Sequence, residues 1–323
     1  STQSRSSAAS DVYKRQTRAG LRIGKPLNER QPGEPQDDLL EWRQDGQYFH
    51  YLTCWMHALN CVSTTTGQAQ YNRWGMELAV VAHRAFVYTA TGDTHKKMYW
   101  KMSIDLSRPL VASMGHQDPL DGLATFHQLE ATARQLDAEC SDVGLSLRFA
   151  IDDFSSMCRS THWATSDELG MGSMLTNASK LVQLIALRQV LDTGLLDVLL
   201  SDIEISLNAY KTRNRLALPA DLRLAFRELG LATGLSAIDM IRRIIRMQPE
   251  NFRHARSLIS RSERLAAFLP LHGSILNFWL QPAHRTAKSW REHADINNVM
   301  LATALDPEGY LQLLLSPKEC PPR

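Results

Sequence analysis

The chain has 323 residues, of which 44% are apolar, with 36 basic and 34 acidic side chains. That length suits one large domain or two small ones with a sizeable core, and no uncharged apolar run approaches the roughly 20 residues a membrane span needs. A net charge of only +2 lacks the electrostatic footprint of a nucleic-acid or anionic-membrane partner.

Residues 1–16 fit no structural period. "SSAASDVYKRQ", residues 6–16, looks like the in-frame translation of a transposase-type sequencing adaptor, so this segment is expected to be non-native. It holds Arg5, Lys14 and Arg15 against Asp11; setting these three basic residues and one acid aside leaves 33 of each sign. The natural start is then expected upstream of Thr17. Residues 17–46 are rich in Gly, Pro and charge and read as an extended, lid-like lead-in.

From residue 47 the period changes. "QYFHYLTCWMHALNCV" carries one apolar stripe at Phe49, Leu52, Met56 and Leu59 and another at Tyr48, Tyr51, Trp55 and Val62. A helix apolar on all sides is an inner helix, and Gly67 is a fitting C-cap. The next helix, about 69–88, is one-sided, with Tyr71, Trp74, Leu78, Val81/Ala82 and Ala85 facing the core. Further helices are expected near 118–137, 146–158, 171–190, 194–211, 220–246, 251–268, 272–280 and 293–304. Met98–Ile104 alternates like a short β-ribbon. The sum is about ten helices in antiparallel succession over 47–313, then a tail at 314–323: an all-α array of helical hairpins with one strand-like insertion. No strict repeat marks an open solenoid, so a closed ring is expected.

"GLRIGKPLNERQPGEP", "EWRQDGQYFHYLTCWMHALN", "MYWKMSIDLSRPLVASMG" followed by "DPLDG", and "LAFRELGLATGL" resemble an uncharacterised family of six-hairpin glycosidase-like proteins. The resemblance covers most of residues 20–240 and implies an (α/α)6 toroid, a fold that hosts glycoside hydrolases, polysaccharide lyases and sugar epimerases. A full ring would have more helices than the count here, consistent with an N-terminally truncated chain. Fold alone does not give function.

A sugar site in a toroid funnel needs two carboxylates, roughly 6.5–9.5 Å apart for inversion, and aromatic faces. In "MYWKMSID" the polar face of the ribbon would present Tyr99, Lys101, Ser103 and Asp105, with Arg108 just beyond; Asp105 and Arg108 pairing with each other is the structural alternative. In "HQDPLDG", Asp118 fits an N-cap with Pro119 at N1 and Asp121 at N3, or a catalytic carboxyl with His116 beside it. In "RLAFRELGLATGL", Glu228 shares a stripe with Leu224, Leu231 and Leu235, so it must titrate high, as a general acid would, or be paired with an arginine from another helix; Arg227 points elsewhere. In "THWATSDELGMG", Trp163 is either a sugar platform, with His162 and Asp167 nearby, or a core plug with Asp167 capping the next helix.

His50, Cys54, His57 and Cys61 share one helix face but span about 16 Å, too far to meet one metal. They are expected to be a core stripe of thiols and hydrogen-bonded imidazoles, with His50 and Tyr48 near substrate. No phosphate-binding glycine loop or nucleophile elbow is present.

The composite expectation is a carbohydrate-active enzyme of glycoside hydrolase type. It would use a carboxylate pair drawn from Asp105, Asp118 and Glu228 and a small-molecule or oligosaccharide substrate, with no cofactor, metal, nucleic acid or membrane. Tyr48, His50, Tyr99, Lys101, Arg108, His116, Asp121, Trp163 and Arg227 would hold the substrate. The alternatives are a sugar epimerase working through His50, His116 and His162, and a non-catalytic sugar-binding scaffold. Five cysteines, at 54, 61, 140, 158 and 320, are an odd number and favour free thiols in the cytoplasm.

Overall fold

The computed structural model describes residues 22–112, 115–136, 146–159, 161–191 and 194–315. The adaptor-like segment 1–16 and most of the tail 314–323 lie outside them. The described residues are mostly helical with short antiparallel strands, and the chain falls into two compact units, Ser1–Ser160 and Thr161–Arg323. No helix among the described residues is long and apolar enough to cross a membrane.

In the first unit the lead-in is ordered and pinned. Asp37 caps the short helix α1 (Asp38–Glu41) by accepting from Leu39 N and Leu40 N. Buried Asp45 accepts from Gly24 N at 2.8 Å and Gly46 N at 3.0 Å. Strand β1 (Gln47–Tyr48) then leads into helix α2 (Phe49–Thr66). Helix α2 ends at Gly67, whose φ of 71° is left-handed, the conformation glycine adopts without a Cβ penalty. Helix α3 (Ala69–Phe86) returns beside it, followed by strands β2 (Val87–Thr89), β3 (Lys96–Met98), β4 (Lys101–Met102) and β5 (Pro109–Val111). Helices α4 (Asp118–Leu136) and α5 (Arg148–Arg159) complete the unit.

Its core is one phenylalanine from each long helix. Phe49, Phe86, Phe126 and Phe154 are all fully buried, and Phe49 lies 5.4, 6.5 and 5.6 Å from the other three rings. Burying each contributes about 1.5–3 kcal/mol. A polar ladder runs alongside. His57 Nδ1 meets Gln128 Oε1 at 2.9 Å, Gln128 donates to Asn60 Oδ1, and Asn60 donates to Asn72 at 2.8 Å and Thr132 at 2.7 Å. Every one of these groups is buried, and mutual pairing is what lets them stay there.

Two expectations change here. Helix α2 is not an all-round inner helix: Trp55 is 40% and Val62 42% exposed, so of its two apolar stripes only Phe49–Leu59 is buried. The ribbon is not one alternating strand either. Strands β3 and β4 are separated by Tyr99 and Trp100 and belong to different sheets, β2–β3 and β1–β4–β5. Lys101, Met102 and Ser103 are consecutively buried, because β4 is the middle strand of its sheet, paired with Tyr48 on one side and Val111 on the other.

In the second unit, helix α6 (Glu168–Ala186) is buried along nearly its whole length, and helix α8 (Ala225–Met247) packs against it. Their backbones touch. A Cβ on Gly172 would fall 2.2 Å from the Gly230 carbonyl oxygen, and one on Gly234 would fall 2.5 Å from that of Gly172. Helix α7 (Leu195–Thr212) and helix α9 (Ala255–Leu265) pair beside them, and helices α10 (Pro270–Leu280) and α11 (Ala294–Leu305) lie on α8. A 3-10 turn, Ala220–Leu222, precedes α8, and Pro270 opens α10 two residues before the predicted start.

Candidate functional site

The first unit gathers ionisable and aromatic side chains where α2 and α4 begin. The Gln117 carbonyl accepts the amide of Asp121 at 2.9 Å, so Asp118 lies inside the first turn of α4, one step past the predicted cap position. Its carboxyl is therefore spared from capping. Asp118 is 7% exposed and, among the described residues, its Oδ2 has no hydrogen-bond partner. Burial, and then the Asp121 carboxylate, push its pKa up to about 7 against the opposing effect of His50. Asp121 Oδ2 meets His50 Nδ1 at 2.8 Å, and His50 Nε2 lies 3.7 Å from the Cys54 sulfur. The sulfur and Asp121 hold the imidazole pKa well above its usual range, although burial acts the other way.

A row of rings leads to this cluster. Trp42, 54% exposed, lies 4.9 Å from Trp100, Trp100 lies 4.9 Å from Tyr48, and Tyr48 lies 5.6 Å from Tyr51. Tyr51 lies 6.2 Å from His50. The Tyr48 hydroxyl is buried without a hydrogen-bond partner among the described residues, and burial raises its pKa.

Of the residues singled out in the sequence, the structure thus brings His50, Asp118 and Asp121 together, with Tyr48 joined to His50 through Tyr51. His116 is exposed beside them in the chain. The other first-unit candidates go elsewhere. Lys101 is buried and donates to the Glu41 carbonyl at 2.8 Å, the Glu41 carboxylate at 3.1 Å and the Gln44 carbonyl at 2.9 Å. Its ammonium is thereby a structural tie, not a funnel-facing group. Asp105 Oδ1 accepts from the Ser103 hydroxyl at 2.8 Å and from Ser107 N at 3.0 Å, which fixes a turn. Arg108 does not pair with Asp105; it reaches Glu29 at 3.9 Å and the Arg30 carbonyl. Tyr99 stacks on Tyr88 at 4.1 Å.

In the second unit, Glu228 is buried and held on both oxygens by Arg223, with the Trp279 indole donating at 2.8 Å. Of the two alternatives, pairing is the one present, but its arginine comes from the turn just before α8 and not from another helix. Arg227 reaches Asp167 instead, whose other oxygen caps α6 through Gly170 N at 2.8 Å. Trp163 is fully buried and fills the core, so it offers no sugar platform; His162 is exposed. A cavity of about 190 Å³ is lined by Ser166, Asp167, Glu168, Arg215, Leu224, Arg227 and Glu228. Glu168 pairs with Arg215 at 3.1 Å, and burial outweighs that pairing to raise its pKa.

Sequence reasoning gave no site role to Trp42, Trp100, Tyr51 and Glu168, and it read Cys54 as part of a core stripe, whereas Cys54 is exposed and Cys61 half-buried. The i, i+4 spacing of His50 and Cys54 was a usable signal for Cys54. The ring row joins residues far apart in the chain and had none. The chain matches no family model, no curated protein and no solved structure.

Proposed function

We propose that the protein is a carbohydrate-active enzyme of glycoside hydrolase type, with Asp118 as its general acid. The observation that supports this most is a buried carboxyl whose pKa is pushed up to about 7 and whose Oδ2, itself buried, has no hydrogen-bond partner among the described residues. A general acid needs its proton at working pH and an oxygen able to deliver it. Asp121, held by His50, is the second carboxylate of the pair. The rings of Tyr48, Trp100 and Trp42 would stack on the apolar faces of a sugar. A closed (α/α)6 ring and a cytoplasmic setting go with this reading, the first through the six-hairpin resemblance and the second through the cysteine count.

A second reading, a sugar-binding protein without turnover, is favoured by one fact: Asp105 and Glu228, the other two candidate acids, are both engaged in structural bonds. Turnover of a panel of aryl and natural glycosides by the wild-type chain and by Asp118→Asn separates the two. A loss of about 100-fold or more supports the general acid. Equal turnover in both proteins removes it. Sugar binding without any turnover selects the second reading.

A further inference from the structure

Helix α2 contains the same pairing twice, one heptad apart. His50 Nε2 lies 3.7 Å from Cys54 Sγ, and His57 Nε2 lies 3.5 Å from Cys61 Sγ. The two pairs differ in what stands behind the imidazole. His50 is held by the carboxylate of Asp121 at 2.8 Å, whereas His57 is held by the neutral amide oxygen of Gln128 at 2.9 Å. They differ also in access, since Cys54 is exposed and Cys61 half-buried. A carboxylate behind the ring stabilises the imidazolium, and an imidazolium beside a sulfur stabilises the thiolate. An amide does neither to the same degree.

We propose that Cys54 is a hydroperoxide-reactive thiolate, ion-paired with His50 in an orientation fixed by Asp121. The groups that face this pair are Asp121 and Asp118 from α4 and Tyr51 from α2 itself. Beside them, Asp118 is 7% exposed, its Oδ2 meets no hydrogen-bond partner among the described residues, and it interacts electrostatically with both Asp121 and His50. In the reaction, the Cys54 sulfur attacks the distal oxygen of the hydroperoxide. The S–O bond forms as the O–O bond breaks, and the leaving alkoxide or hydroxide takes the proton of the His50 imidazolium. Sulfur is oxidised by two electrons to a sulfenic acid, and the peroxide is reduced by two to an alcohol or water. This site does not depend on the glycosidase reading, and its readouts involve no sugar.

The test is the pH dependence of iodoacetamide alkylation, followed peptide by peptide by mass spectrometry in the whole chain. The midpoint of the rate reports thiolate formation independently of access. Cys54 is expected to reach half its maximal rate below about pH 7, and Cys61 near or above the ordinary thiol value of about 8.5. His50→Asn should raise the Cys54 midpoint by about one unit or more and leave that of Cys61 in place. Treatment with hydrogen peroxide and dimedone should label Cys54 in preference to Cys61. A Cys54 midpoint at or above about 8.5 overturns the proposal, as does a low midpoint with no dimedone adduct. A folded His50→Asn protein with an unmoved midpoint overturns the ion pair. Should that variant not fold, the wild-type midpoint and adduct decide alone.

Discussion

Arg223 grips both oxygens of Glu228, with Nε at 2.8 and 3.1 Å and Nη2 at 2.6 Å. Both side chains are buried, and the guanidinium also lies over the Phe278 ring at 3.6 Å. Removing one member leaves the other charge buried and uncompensated, which costs about 3–5 kcal/mol. Glu228→Gln and Arg223→Met should each lower the urea midpoint accordingly, while the double variant recovers part of the loss. A Glu228→Gln protein of unchanged stability would contradict this assignment.

Asp118 sets an expected pH dependence of stability. Its folded pKa is raised to about 7, above an unfolded value near 3.9. Its contribution is therefore fully present below about pH 4 and is lost as pH rises through about 7, by up to about 4 kcal/mol. Asp118→Asn should flatten that slope and melt higher than wild type at pH 8. Thermal melts from pH 4 to 8 on both proteins check it; parallel curves would place the carboxyl in an ordinary environment.

Cys54 and Asp121 together raise the His50 imidazole pKa. Replacing the carboxylate in Asp121→Asn removes one of the two groups that raise the imidazole pKa, so the His50 titration should move to lower pH. Proton NMR of the His50 imidazole resonances reads the shift, and an unmoved titration in Asp121→Asn would contradict the pairing.

The α6–α8 crossing tolerates no side chain at Gly172. Its Cβ would fall 2.2 Å from a backbone oxygen of α8, and a backbone cannot swing aside as a side-chain tip can. Gly172→Ala is expected to cost about 3 kcal/mol or more, at the upper end of overpacking effects. Gly273→Ala, in α10 with nothing near its Cβ, should be neutral or gain up to about 1 kcal/mol from helix propensity. Denaturant midpoints of the two variants make the comparison.

Trp42 stands at the outer end of the ring row and is 54% exposed. If the row binds sugar, Trp42→Ala should weaken binding by about 1 kcal/mol with the melting temperature unchanged. Isothermal titration with oligosaccharides that bind the wild type measures it, and unchanged affinity would take Trp42 out of the site.

Most of what local pattern can carry was legible in the chain. The 3.6-residue period located the long helices to within a few residues, because an amphipathic stripe is a property of neighbours in sequence. Gly67 as a helix stop and Glu228 as a buried acid needing a partner followed from backbone conformation and desolvation in the same way. Which helix is innermost did not follow. Helix α2 is apolar on two faces yet exposes Trp55, while α6 is buried because glycines at 172, 230 and 234 let α8 approach to backbone contact. The fate of the charges was equally tertiary. Lys101 and Asp105 read as an open polar face, but sheet pairing buries the first and a serine turn engages the second. Asp118, Asp121, His50 and Cys54 come together only because α2 and α4 meet at their starts. Spacing along a helix fixes which side chains share a face; which groups from another segment meet that face, and so which charges are matched and which acids keep a proton, depends on contacts that no single stretch of sequence contains.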